Sequence, residues 1–317
     1  MQTYIVQRIL LSIPTLIGIT ILVFVGLRVA LPASAVDLIL GEAGRSDQQL
    51  RKNIEKDLGL DGSLPTLYVR WVGNMVTGDF GKSLHSGYAI SDELAARIPV
   101  SVELGLWGLI MAILIAVPTG MFAAIKQDRW PDYGLRSGAI LVDSIPSFWV
   151  AILVITFGSV WFQWAPPLHY QQLWQDPIQH ISIMATPALI IGLTPAGGLI
   201  RLVRTQMLEV LRQDYVRTAH AKGLSPNSVF FKHALRNSLL PVVTVVGLAL
   251  PTLIAGTVIF ENIFLLPGMG RYLLSAVTSL DYPVIQAVNV IFAFMLVVAV
   301  LLVDISYAML DPRIRFS

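Results

Sequence analysis

Cysteine is absent from this 317-residue chain, which excludes disulfides, thiolate metal sites and cysteine nucleophiles. Charge is scarce as well: Asp, Glu, Lys and Arg make up only 13% of the residues, against about 25% in a soluble domain. A complete phosphate-binding loop is missing. Gly81-Lys82-Ser83 ends like one, but the pattern G-x-x-x-x-G-K-[ST] needs its first glycine at the position held by Val76. The histidines (His85, His169, His180, His220 and His233) fall in loops or at helix ends and show no ligand spacing. A soluble enzyme, a disordered tail and a disulfide scaffold are all poor descriptions of such a chain.

What is present is apolar surface, at 55% of all residues. Six runs stand out: Ile9–Leu31, Val102–Ile125, Gly138–Phe162, Ile181–Ile200, Ser238–Phe260 and Val284–Ala308. Each reaches about 20 residues, enough for a helix to cross a hydrocarbon core of about 30 Å. Pro14, Pro118, Pro146, Pro187, Pro195 and Pro251 lie in or near them, which membrane helices tolerate when neighbours satisfy the freed carbonyls. The first run is too long for the 7–15-residue core of a signal peptide, so it is expected to be a span. The pattern predicts an all-α polytopic membrane protein with six transmembrane helices.

Lys and Arg set the expected orientation. With the N-terminus inside, the inner segments hold Arg8; Lys126, Arg129 and Arg136; the basic stretch from Arg201 to Arg236; and Arg313 and Arg315. The two short outer loops hold only Arg271. The bias of positive charge toward the cytoplasm then places both termini inside and residues 32–101 outside. Within the spans the ionisable residues are Arg28, Glu103, Asp143 and Asp304, all near span ends. Ion-coupled carriers place such groups or broken-helix sites at mid-membrane, so the expected energy source lies elsewhere. The bland reading of the four is interfacial anchoring. Asp143 stands apart because Ser144, Pro146 and Ser147 follow it.

The cytoplasmic loop 201–237 is the most informative segment. Asp214 is a candidate helix cap and Gly223 a left-handed stop, which predicts a short helix over Tyr215–Lys222. Val216, Ala219 and Gly223 share one face, and small residues there would let another surface come close to the backbone. Arg217, His220 and Lys222 provide polar edges. Ser225-Pro226 then opens the next helix. A short helix continuous with two spans suits mechanical coupling, although an ordinary basic inner loop would look similar.

The run Tyr215-Val216-Arg217-Thr218-Ala219-His220-Ala221-Lys222-Gly223-Leu224, followed by His233-Ala234-Leu235-Arg236-Asn237 and Leu240-Pro241, resembles the EAA loop of ABC-importer permeases. The subgroup is the first permease of dipeptide and oligopeptide importers. Gly78-Asp79-Phe80-Gly81 with Ser83, Leu58-Gly59-Leu60-Asp61, Ser144-Ile145-Pro146-Ser147-Phe148, Glu261-Asn262-Ile263-Phe264, Pro267-Gly268-Met269-Gly270 and Asp311-Pro312-Arg313 match in order. Two departures stand out. Arg217-Thr218-Ala219 replaces Glu-Ala-Ala, so no contact of that glutamate carries over, and Pro32-Ala33-Ser34-Ala35 replaces Pro-Gly-Asp-Pro.

The resemblance implies the type I ABC importer permease fold, with residues 1–31 as N-terminus and first span and 32–101 as an extracytoplasmic cap. Residues 102–317 would form the permease core. It implies a non-catalytic subunit of a prokaryotic inner-membrane importer, with no cofactor of its own. Its partners would be a second homologous permease, two ATPase subunits carrying ATP and Mg, an external substrate-binding protein and the lipid bilayer, with no nucleic acid. Asp214 to Leu224 would dock the ATPase. Trp71, Phe80, Tyr88, Pro267, Gly268 and Gly270 are candidate contacts for the binding protein. Short peptides are the favoured cargo, with glutathione, nickel chelates and oligosaccharides as alternatives. An ion-coupled carrier and a non-transporting scaffold are the competing classes.

Overall fold

The computed structural model describes residues 2–30, 62–167, 169–225 and 228–310. The expected charged helix Asp47–Asp57, the turn at Pro32, the Leu58–Asp61 motif, Pro226 and the terminal Asp311-Pro312-Arg313 lie outside the described residues. The helices are α1 (Gln2–Ala30), α2 (Leu64–Val76), α3 (Ile90–Ile125), α4 (Trp130–Ser144), α5 (Ser147–Phe162), α6 (Pro177–Leu211), α7 (Asp214–Ala221), α8 (Arg236–Ile263), α9 (Met269–Thr278) and α10 (Tyr282–Leu310). A π-helical turn, Val229–Leu235, leads into α8.

The six apolar runs become four unbroken helices and two bent pairs. Val6–Leu27, Ile90–Ile125, Pro177–Leu211 and Tyr282–Ile305 are each long and apolar enough to cross a membrane. The third run, read from the sequence as continuous, is instead broken: α4 and α5 meet at 95°. The cause is local. Pro146 has no N–H and forces the preceding residue out of helical geometry, and Ile145 is extended at φ −100° and ψ 125°. The fifth run bends by 48° between Val229–Leu239 and Pro241–Ala249, again at a proline.

Two compact units form. The first comprises Met1–Pro99 and Gly268–Val298. Its apolar cluster is built by Ile90 and Leu94 of α3, Met269 and Ala276 of α9, and Val284 and Val288 of α10. The Gly78–Ser83 motif serves this unit directly. Gly81 adopts φ +79°, a left-handed conformation that glycine reaches without strain. Its N–H donates to Asp79 Oδ1 at 2.9 Å, an Asx turn. Ser83 Oγ then donates to Asp281 Oδ2 at 2.5 Å, with both residues buried. Leu84 N–H donates to the other carboxylate oxygen at 3.2 Å. One buried carboxylate thus fastens the turn to the start of α10.

The second unit comprises Val100–Pro267 and Ala299–Ser317. Its centre is a seam between α3 and α6. Gly108, Ala112, Ala116 and Gly120 recur every fourth residue on α3, so they line one helix face. A Cβ placed on Gly192 of α6 would lie 2.5 Å from Gly108 O and 3.0 Å from Ala112 N. A Cβ on Gly120 would lie 2.7 Å from Ile200 O. Two backbones approach this closely only through small residues, the packing that holds helices together in lipid. Leu104, Ile183, Met184 and Ile191 extend the core from one end of the seam, and Val203 and Met207 extend it from the other.

Two ion pairs join α4 to α6. Asp132 is fully buried and takes Arg204 Nε at 2.6 Å and Nη2 at 2.5 Å. It also accepts the Asp128 N–H at 3.0 Å. Asp143 pairs with Arg201 Nη2 at 2.6 Å, and Gly197 beneath it leaves room for that carboxylate and for Ala139 O. Removing one partner of a buried pair strands a charge, at a cost of about 3–5 kcal/mol, whereas apolar replacement of both is near neutral. Asp132→Ala should therefore lower the thermal unfolding temperature of the purified protein more than the double replacement Asp132→Leu with Arg204→Met.

Candidate functional site

The sequence places the site in the loop after α6, and the structure builds it from three short pieces. Helix α6 ends at Leu211, and Asp214 opens α7. Asp214 is the first helical residue, and its carboxylate faces Arg217 at 3.6 Å. Thr218 Oγ1 donates to Asp214 O at 2.9 Å. At the far end Gly223 adopts φ +76°. Leu224 N–H then donates to Ala219 O at 3.3 Å, the reverse turn that satisfies a helix's last carbonyls. Ser225 Oγ accepts the Ser228 N–H at 3.4 Å, while Asp214, expected as a cap outside the helix, is instead its first residue with its carboxylate turned to Arg217.

The burial of α7 reverses one expectation. Val216 and Ala219 were the face proposed for an approaching partner. They are buried, at 1% and 7% exposure, against Val229, Val210 and Leu211 of the same chain. Small size at Ala219 serves internal packing. The outward face consists of Asp214, Arg217, Thr218 and Ala221, at spacings of i, i+3, i+4 and i+7, and all four are exposed. Lys222, Gly223 and Leu224 continue this exposed surface. Tyr215 stands at its edge, where Asn237 Nδ2 donates to its hydroxyl at 2.9 Å, which ties α7 to the start of α8. The side chain of His220 lies outside the described residues. The result is a polar knob fixed by its apolar underside to the end of α6 and the π-helical turn.

The six residues read as contacts for a binding protein are placed unequally. Trp71 is half-buried, its ring 5.5 Å from Phe24 and 6.3 Å from Tyr68. Phe80 packs on the apolar cluster of the first unit. Gly268 and Gly270 are buried, Gly268 as the residue preceding α9, and Pro267 is half-buried. Tyr88 alone of the six is exposed, at 67%.

Sequence reading treated the charged residues at span ends as interfacial anchors. Two of them face protein partners instead: Asp143 meets Arg201, and Glu103 meets His180. The sequence showed each of these residues only as a charged or basic group at or beside the end of an apolar run. It could not show which pairs the fold brings together.

Left-handed geometry at residue 223 sets a graded test. A Cβ there meets open space, so the penalty is conformational, about 1–2 kcal/mol for most L-residues and least for Asn. Gly223→Asn should leave protease resistance of the 214–224 segment close to wild type, and Gly223→Val should lower it clearly. Equal sensitivity of the two variants would contradict the cap.

Comparison with known proteins agrees with this anatomy. Residues 116–316 match the family described as binding-protein-dependent transport system inner membrane component. Residues 1–105 match the corresponding N-terminal membrane component. The chain is 39% identical, over 322 residues and 100% of both chains, to the oligopeptide transport system permease protein AppB of Bacillus subtilis. It is 36% identical to the di/tripeptide transport system permease protein DppB of Pseudomonas aeruginosa, with 99% of each chain covered. The dipeptide transport system permease protein DppB of Escherichia coli matches equally, at 36% identity and 99% of each chain. The chain therefore belongs to the family of inner membrane components of binding-protein-dependent transport systems, and it is an integral membrane permease subunit.

Proposed function

We propose that this permease is one half of the translocation path of an ATP-driven importer of short peptides. A second homologous permease supplies the other half, and two cytoplasmic ATPase subunits, carrying the ATP and Mg, drive the cycle. An extracytoplasmic binding protein delivers cargo, with Tyr88 as the exposed candidate for its contact. The complex sits in a prokaryotic inner membrane with both termini of this chain cytoplasmic. The peptide cargo rests on the printed names of the relatives.

The observation that carries the reading is the α7 knob. Its outward face of Asp214, Arg217, Thr218 and Ala221 is free for a partner, while Val216 and Ala219 bind it to α6 and the π-helical turn. A push on the knob is therefore delivered to two spans. ATP-driven closure of the ATPase pair would carry the knobs together and swing the spans outward, and hydrolysis would reverse the motion. An ATPase can drive such a cycle only if its grip on the knob differs between the two states.

The chain has no cysteine, so single cysteines report uniquely. Arg217→Cys should crosslink to an ATPase subunit in the assembled complex, and the yield should change on ATP binding. Val216→Asp puts a charge in the buried joint, a change worth several kcal/mol. It should keep ATP hydrolysis but abolish binding-protein-dependent peptide uptake in proteoliposomes. Uptake driven by an ion gradient without ATP would refute the reading.

A further inference from the structure

Helix α4 is 15 residues long. At 1.5 Å per residue that is about 22 Å, too short to cross a hydrocarbon core of about 30 Å alone. The 95° bend turns it away from the line of α5, so it does not lengthen that span either. It serves one leaflet. Its joints with α6 lie at Gly197, Arg201 and Arg204, toward the end that the sequence predicts to be cytoplasmic. One face of α4 is taken up by these joints. Asp132 and Ala139, seven residues apart, are buried. Asp132 holds Arg204, Ala139 packs in the apolar cluster with α6, and Asp143 pairs with Arg201. The opposite face carries Trp130, Tyr133, Ser137, Leu141 and Ser144 at helical spacing. All five are exposed, Trp130 at 85%.

Side-chain chemistry changes along this outward face. Trp130 and Tyr133 stand at its start, and Ile140 and Leu141 toward its end. That is the order of a leaflet, in which Trp and Tyr gather at headgroup level and aliphatic side chains lie deeper. Cations surround the aromatic end. Arg129 and Arg136 are exposed and Lys126 is half-buried. Arg201 and Arg204 on α6 have carboxylate partners, whereas none of these three has an ion pair among the described residues. The Arg136 guanidinium stands 6.0 Å from the centroid of the Tyr133 ring. Of the acids in this stretch, Asp132 is committed to Arg204, and Asp128 accepts from Gln127 Nε2 at 3.0 Å. Positive charge is therefore in excess at the aromatic end. Water in a translocation path would be a poor neighbour for Trp130, Ile140 and Leu141. A protein covering the face would have to supply carboxylates for the buried arginines. An acidic leaflet matches both ends, with acyl chains for Leu141 and phosphates for the arginines.

We propose that the outward face of α4 is a seat for acidic phospholipid of the cytoplasmic leaflet, in which Arg129 and Arg136 hold the headgroup phosphate beside Trp130 and Tyr133. Lys126 adds to the attraction, and Ile140 and Leu141 meet the acyl chains. The seat is joined to the α7 knob: Asp132 and Asp143 tie α4 to α6, and α7 follows the end of α6. Lipid held on one side of α4 therefore braces the helix on which α7 is mounted. The proposal rests on the importer reading only for the orientation, cytoplasmic at this end.

The chain has no cysteine of its own, so Ser137→Cys carries one fluorophore to the middle of the face. The assembled complex, its other subunits cysteine-free, is placed in phosphatidylcholine nanodiscs. These contain a trace of either spin-labelled phosphatidylglycerol or spin-labelled phosphatidylcholine. Labelled lipid should quench the fluorophore, and aqueous iodide should not. The phosphatidylglycerol label should quench at least about twofold more than the phosphatidylcholine label, because each basic residue near the surface favours acidic lipid. Adding Arg129→Gln with Arg136→Gln should keep the quenching by lipid and abolish the preference. Arg129→Lys with Arg136→Lys, which keeps both charges, should retain the preference. Stronger quenching by iodide than by lipid would assign the face to water. Insensitivity to both would assign it to a protein partner. Equal quenching by the two lipids before the arginines are changed, or an undiminished preference in the glutamine variant, would remove the headgroup site. Any of these results overturns the proposal. Transport plays no part in the measurement, so its failure leaves the importer reading standing.

Discussion

Close approach of two backbones is the constraint on which the second unit depends. Lipid offers no hydrophobic force to press helices together, since its tails are as apolar as leucine. Contact must come from shape. Gly108, Ala112, Ala116 and Gly120 flatten one face of α3, and Gly192 of α6 fits against it with no room for a side chain. With the backbones this close, dispersion contacts are many, and weak Cα–H to carbonyl contacts become geometrically possible. The larger residues Leu104, Ile183 and Met207 flank the seam on both sides. Helix α4 then joins α6 through two Arg–Asp pairs, which fix direction where apolar packing alone would not.

Polar groups in this protein are concentrated where backbone geometry breaks. The 95° bend between α4 and α5 lies beside Asp143. The start of α10 holds Asp281, whose carboxylate accepts from Ser83 and Leu84. The start of α6 holds Asp176 and His180. Each site supplies acceptors or donors to groups that a helix end or a turn would leave unmatched. The apolar stretches between them carry the spans, and the polar joints set how the spans connect.

Much of this was legible in the chain. Run length and composition gave the helices, because about 20 apolar residues have few other uses. Gly223 was readable as a stop because its role is local. The orientation of α7 was not. Amphipathic spacing says which residues share a face, but whether Val216 faces a partner or its own chain depends on Val229, thirteen positions on. Pro146 was visible in the third run but consistent with one tolerated span, because whether a proline kinks or breaks a helix depends on how the segments beside it pack. The small-residue stripe on α3 stands at four-residue spacing in the sequence, but small residues on one helix face do not say which helix meets them. The Glu103–His180 contact had no sequence signal of its own, because neither residue belongs to a recognisable motif.

The π-helical turn Val229–Leu235 has a bearing on everything that follows it. Such a turn takes up one residue more than an α-helical turn does. In an α-helix each residue advances the azimuth by about 100°. The buried positions of α8, Ser238 and Val242 among them, are therefore phased by that extra residue. A single-residue deletion in the turn would turn the start of α8 by about 100° about its axis and carry Ser238 away from its buried position. Loop length is freely variable in most connections, but here the residue count works as an angular key.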